Sequence, residues 1–126
     1  MRDVVILGST GSIGTQALEV ISQNPDKFRV VGLSAGESNL NLLIEQVRKF
    51  DVPVVGTSGD GVALKEVLPK CTVIDGPNAA SEIAALQADV VLNGITGSIG
   101  LRPTLSALEA GNKVALANKE SLVACV

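Results

Sequence analysis

Gly8-Ser9-Thr10-Gly11-Ser12-Ile13-Gly14 follows the apolar run Val4-Val5-Ile6-Leu7 without a break, and a stretch of helical period, TQALEVISQ, begins at Thr15. The β-branched run reads as a buried strand, and the Ala/Leu-rich stretch reads as a helix. Between them, three glycines at every third position allow a backbone turn too tight for side chains. Strand, glycine turn and helix in direct succession mark the start of an α/β chain.

The alternation continues outward from there. FRVVGLS, VPVVG, CTVID, DVVLNGI and KVALAN read as strands, and NLLIEQVRKF, GVALKEVL, AASEIAALQ and LRPTLSALEAG as the helical segments among them. Strands joined by helical crossovers imply a Rossmann-like, doubly wound, mainly parallel sheet with helices on both faces. The least regular piece runs from GVALKEVL to AASEIAALQ, and its short strand, Cys71 to Asp75, is expected at a sheet edge. Turn signals fall at NPDKF, at GPN and at EAGNK. The chain ends in NKESLVACV, the apolar start of another helix without a stop signal, so residues 1–126 are expected to be the front piece of a longer protein.

The chain has 126 residues, one domain's worth, with 46% hydrophobic residues but only two Phe and no Trp or Tyr. Its core must therefore be built from Val, Ile, Leu and Ala, as parallel sheets are. The net charge is −3, and the ten Lys and Arg are scattered, which sets nucleic-acid binding aside. No apolar run is long enough for a signal peptide or a membrane span, and the sequence reads as cytoplasmic. Cys71 and Cys125 have no CxxC spacing and are expected to be reduced and mostly buried. Without histidine there is no Ser-His-Asp or Cys-His chemistry.

The turn at Gly8–Gly14 sits where a dinucleotide fingerprint must sit, although its spacing is GxxGxxG rather than GxGxxG. Glycine lets the backbone approach a pyrophosphate, and free N–H groups at the helix start donate to it. Ser9, Thr10 and Ser12 add hydroxyl donors. The motif returns as GITGSIG from Gly94 to Gly100, after the strand that heads the second half of the sheet. That strand should lie beside the first, so that two glycine turns flank one groove. Gly94 and Ile95 would then give the nicotinamide end of the cofactor a close backbone surface. Two turns solving one steric problem explain the repetition without an internal duplication.

An NAD site usually carries Asp or Glu at the end of the second strand. Here that strand ends Leu33-Ser34-Ala35, which favours a 2′-phosphate held by Gly36, Ser38 and Asn39. Glu37 lies in the same loop and would repel a dianion if it faced inwards. The alternative for Ser38 or Asn39 is a simple N-cap.

The last strand runs into Asn118-Lys119-Glu120-Ser121. Asn118 suits an N-cap and Glu120 a first turn, but a lysine there is electrostatically misplaced unless an anion binds. At this point the sequence resembles a known family. ILGSTGSIG, NPDKFRVVGLSAG, GLRPTLSALEAG and above all LANKESLV are similar to the N-terminal, NADPH-binding domain of the 1-deoxy-D-xylulose 5-phosphate reductoisomerase family, over essentially the whole chain. The resemblance implies rearrangement and NADPH-dependent reduction of that phosphorylated sugar to 2-C-methyl-D-erythritol 4-phosphate, in non-mevalonate isoprenoid biosynthesis, by a homodimer that uses Mg²⁺ or Mn²⁺. It implies that Thr10, Gly11, Ser12, Ile13 and Gly36 with its neighbours contact NADPH, that Asn118 and Glu120 lie against the cofactor, and that Lys119 reaches the substrate. It also implies that the metal-binding carboxylates and the remaining catalytic groups belong to sequence beyond Val126, leaving this piece inactive alone. Glu37 departs from the basic or small residue that relatives often carry.

Two other readings compete: an NADP-dependent oxidoreductase of the aspartate-semialdehyde or homoserine dehydrogenase type, and a non-enzymatic nucleotide-sensing module. LANKESLV stands against the first, which the sequence downstream would decide, and growth complementation with the full-length gene would separate all three.

Overall fold

The computed structural model describes residues 2–94 and the backbone of residues 113–116. Strand β1 (Arg2–Leu7) leads through the glycine turn into helix α1 (Ser12–Ser22). Strand β2 (Phe28–Ala35), a 3-10 turn (Glu37–Asn39), helix α2 (Leu40–Phe50) and strand β3 (Val54–Thr57) follow. Helix α3 (Val62–Val67), strand β4 (Thr72–Asp75), helix α4 (Ala79–Ala84) and strands β5 (Val90–Asn93) and β6 (Lys113–Leu116) complete the described chain.

The six strands pair in the order β4-β3-β2-β1-β5-β6, every pair parallel. The expected doubly wound arrangement is present, with β4 at the expected edge. Chain order reverses at β1: β2 runs to one side of it and β5 to the other. At its carboxyl end Leu7 stands opposite Ser34 of β2 and Asn93 of β5. That is the topological switch point, where ligands of such sheets bind.

Strand alternation divides the core into two layers. Val4 and Ile6 of β1 join Leu33, Val55, Val90 and Leu92 beneath Ala17, Leu18 and Ile21 of α1, Leu43 and Val47 of α2 and Leu64 of α3. Val5, Leu7 and Val91 face the other way, against Ile83 and Ala84 of α4. These are aliphatic, as the composition requires, and Phe28 of β2 is buried with the first layer. A register shift between Val4 and Val5 turns Gly32 to the α4 face. There a Cβ would meet Leu86 Cδ1 at 2.9 Å, so glycine is what lets α4 lie this close.

Element ends differ from the periodicity in physical ways. Helix α1 begins at Ser12, ahead of the apolar pattern, because the last glycine of the turn is already inside it. Helix α3 ends at Val67, since Leu68 precedes Pro69 and is steered out of helical conformation, with φ −125° and ψ 62°. The segment LRPTLSALEAG, expected to be helical, lies outside the described residues.

Candidate functional site

Leu7 hands the chain to Gly8, whose φ of 74° is left-handed and favours glycine over any side chain. Its N–H and that of Ser9 both donate to the Ser34 carbonyl, at 2.8 and 3.0 Å, pinning the turn to the end of β2. Gly11 donates back to the Gly8 carbonyl at 3.2 Å and caps α1. The three glycines do different work. A Cβ on Gly14 would overlap Gly8 O and stand 2.6 Å from Ser9 Cα, so this residue lets helix and strand pack. Among the described residues a Cβ on Gly11 would meet only Gly8 O, at an ordinary 3.5 Å, so none of them demands glycine there. An approaching ligand would.

The start of α1 carries no side-chain cap and no acid in its first turn. Its first N–H groups have no intrahelical acceptor, and the helix dipole places partial positive charge on them. The other eleven-residue helix differs: Asn39 Oδ1 accepts from the Leu42 N–H at 3.4 Å and caps α2. Thr10 and Ile13 are half-buried, and Gly11 and Ser12 are exposed at the mouth of the turn. An anion fits this cradle.

Gly94 completes the near wall. Its N–H donates to the Leu7 carbonyl at 2.8 Å, and a Cβ on it would lie 3.6 Å from Gly8 O and 3.7 Å from the Gly14 nitrogen. The first residue of the second motif therefore touches the first motif. On the β2 side, Gly36 and Ser38 are exposed just beyond Ala35. Asn39 uses its oxygen in the cap, leaving the amide NH₂ as the donor a phosphate would require. Ile95, Asn118, Lys119 and Glu120 lie outside the described residues, as do Cys125 and the side chain of Glu37.

One reading needs correction. The Ser9 hydroxyl does not line the turn: Ser9 is fully buried, and its Oγ has no partner among the described residues. Cys71 is free and mostly buried, as expected, its Sγ 3.5 Å from the Val52 carbonyl, and burial raises its pKa above the usual thiol value.

Sequence reasoning missed Ser58. Its N–H donates to the Ala35 carbonyl at 3.3 Å, and its Oγ would be 3.8 Å from a Cβ on Gly36, which puts it on the same edge as the turn that follows Ala35. The available signal was the Thr57-Ser58-Gly59 turn at the end of the third strand. Among the described residues no group of three or more His, Cys, Asp or Glu side chains could hold a metal ion, and no helix is long and apolar enough to cross a membrane. The clefts at Ile21, Phe28 and Phe50 and at Val47, Pro53 and Leu68 lie away from the glycine turns.

Sheet order, switch point and helix start define a Rossmann-like domain with an uncapped helix start at its crevice. A family model described as 1-deoxy-D-xylulose 5-phosphate reductoisomerase matches residues 4–126. Enzymes of that name from Beutenbergia cavernae and Rhodococcus jostii are 57% and 55% identical to this chain over 98% and 96% of its length, and over 33% and 30% of theirs. The chain spans about a third of the length of these curated relatives. The reductoisomerase from Zymomonas mobilis, solved in complex with NADPH, superposes with a TM-score of 0.85 at 36% identity over 97% of this chain and 33% of that one. A structure in complex with NADPH, fosmidomycin and magnesium gives 0.85 at 35% identity over 98% of this chain and 31% of that one. The chain belongs to the 1-deoxy-D-xylulose 5-phosphate reductoisomerase family.

Proposed function

We propose that this chain is the NADPH-binding domain of a reductoisomerase that rearranges and reduces 1-deoxy-D-xylulose 5-phosphate to 2-C-methyl-D-erythritol 4-phosphate. The observation that carries the reading is the uncapped, acid-free start of α1, packed against Gly94 at the point where the sheet reverses. Thr10, Gly11, Ser12 and Ile13 would hold the cofactor's pyrophosphate and neighbouring ribose through main-chain N–H groups. Gly36, Ser38 and Asn39, with Ser58 beside them, would receive the 2′-phosphate. Gly94 and Ile95 would flank the cofactor towards the nicotinamide, which supplies hydride when bound. Asn118 and Glu120 would lie against the cofactor and Lys119 would reach the phosphorylated substrate.

The rest of the proposal concerns a longer protein. It works in the cytoplasm as a homodimer, and the carboxylates for Mg²⁺ or Mn²⁺ come from sequence beyond this chain. Such ions need clustered oxygen ligands to polarise the substrate's oxygens during rearrangement. The 126-residue chain should therefore bind NADPH and oxidise none with 1-deoxy-D-xylulose 5-phosphate and Mn²⁺. A chain extended to the relatives' length should turn over and lose most activity on Lys119→Ala. Turnover by the short chain would overturn this division of labour, and failure to bind NADPH would overturn the reading itself.

A further inference from the structure

Helix α2 buries Leu43, Val47 and Gln46 on its inner face. The first two pack into the aliphatic layer, and periodicity calls for a third apolar residue. Gln46 is 7% exposed. Its Nε2 donates to the carbonyl of Ser9 at 2.9 Å, a contact spanning 37 residues. The same residue's N–H is held by the Ser34 carbonyl. Ser9 is thus gripped on both sides, by β2 and by α2.

The grip on the carbonyl matters because of what shares its plane. The Ser9 carbonyl and the Thr10 N–H belong to one rigid trans peptide and point in opposite directions across it. Drawing the carbonyl inward to α2 aims the Thr10 N–H outward, to the mouth of the turn. Packing alone gives no reason for an amide here. Gln46 Oε1, Ser9 Oγ and Ser34 Oγ are buried with no partner among the described residues, which costs stability that an aliphatic side chain would not. The polar cluster supplies direction at the expense of stability.

We propose that Gln46 is a positioning residue for cofactor binding, fixing the Thr10 peptide so that its N–H meets the dinucleotide phosphate. The proposal rests on the reading of this turn as an NADPH site and adds a residue that never touches the cofactor.

The test uses the full chain and measures cofactor affinity alongside a thermal melt. Gln46→Met keeps the side chain's length and removes the donor. It should fold with an unchanged or higher Tm and bind NADPH about five- to tenfold more weakly, the scale of one lost neutral hydrogen bond. In the native chain the Thr10 amide proton resonance should move on adding NADP⁺, and in the variant it should move less. Gln46→Glu gives a readout that a packing role would leave still. Protonated, it donates to the Ser9 carbonyl; ionised, it repels it. Burial raises the new carboxyl's pKa, so NADP⁺ affinity relative to the native chain should recover as pH falls from about 8 to about 5.5. The ionisable groups lining the same cleft, Glu19 of α1 and Glu45 and Lys49 of α2, are common to both proteins and cancel in that ratio.

A native chain that binds NADPH, with the Gln46→Met variant within about twofold of it, would overturn this inference and leave the cofactor reading standing. A pH-independent ratio for Gln46→Glu would do the same, even if Gln46→Met failed to fold. A native chain that bound no NADPH would overturn both.

Discussion

The N–H of Gly94 donates to the carbonyl of Leu7, so the residue opening the second glycine motif is bonded to the residue just before the first. Gly8 and Gly94, the first residues of the two motifs, directly follow adjacent parallel strands, and the crevice lies where those strands point. Glycine recurs at Gly14 and Gly94 because two backbones crowd one small volume there.

Steric demands at Gly11 and Gly14 differ enough to be separated by substitution. Gly11→Val is expected to leave the far-UV circular dichroism and Tm near native while abolishing NADPH binding, because its Cβ finds ordinary space in the free protein. Gly14→Ala should do the reverse first. Overlap with backbone that cannot retreat should cost about 2–4 kcal/mol and lower Tm by roughly 10 °C. Calorimetry and an NADPH titration on both variants check the pair.

For Gly94, a methyl group would stand 3.1 Å from Leu7 O, tight enough to push the second turn away by a few tenths of an ångström. Gly94→Ala should cost about 1 kcal/mol of stability, read from the urea midpoint. Its NADPH affinity should fall further than that of an exposed control such as Lys70→Ala.

Cofactor choice follows from the end of β2. With Ala35 where NAD sites place an acid, NADPH should bind at least about tenfold more tightly than NADH. Ser58→Ala should narrow that gap without altering NADH affinity, if the hydroxyl beside Gly36 meets the 2′-phosphate. Equal affinities for the two cofactors in the native chain would refute the assignment.

Cys71 should shape alkaline stability. Its thiol pKa is raised in the folded state by burial, so above about pH 8.5 the unfolded chain releases a proton that the native chain keeps. Stability contributed by the protonated thiol is whole below that pH and is lost as pH rises through the folded pKa. In a Cys125→Ser background, the urea midpoint should decline between about pH 8.5 and 10 more steeply than that of Cys71→Ala in the same background.

Much of this architecture was legible because local rules and the global fold agree. Val4 to Leu7 alternates between two layers, the glycine turn follows at once, and the irregular stretch around Cys71 to Asp75 does form the edge strand. What escaped depends on encounters that no local window contains. The Ser9 hydroxyl looks like a phosphate donor until β2 and α2 close over it. Gln46 looks like a solvated helix residue until its amide is found on a carbonyl 37 residues away. Ser58 becomes relevant only because β3 lies next to β2.

Strand β1 is the first segment synthesised, and among the interior strands it waits longest for its second edge to be occupied. Its partner on one side begins at Phe28, but on the other side at Val90. At about 5–20 residues per second, a ribosome that has released β2 takes several seconds more to deliver β5. During that interval Val4-Val5-Ile6-Leu7 presents an open row of N–H and C=O groups beside an apolar surface, the kind of edge that recruits foreign strands. The centre of the crevice at the switch point is therefore also the point where a growing chain stays longest exposed to a wrong neighbour.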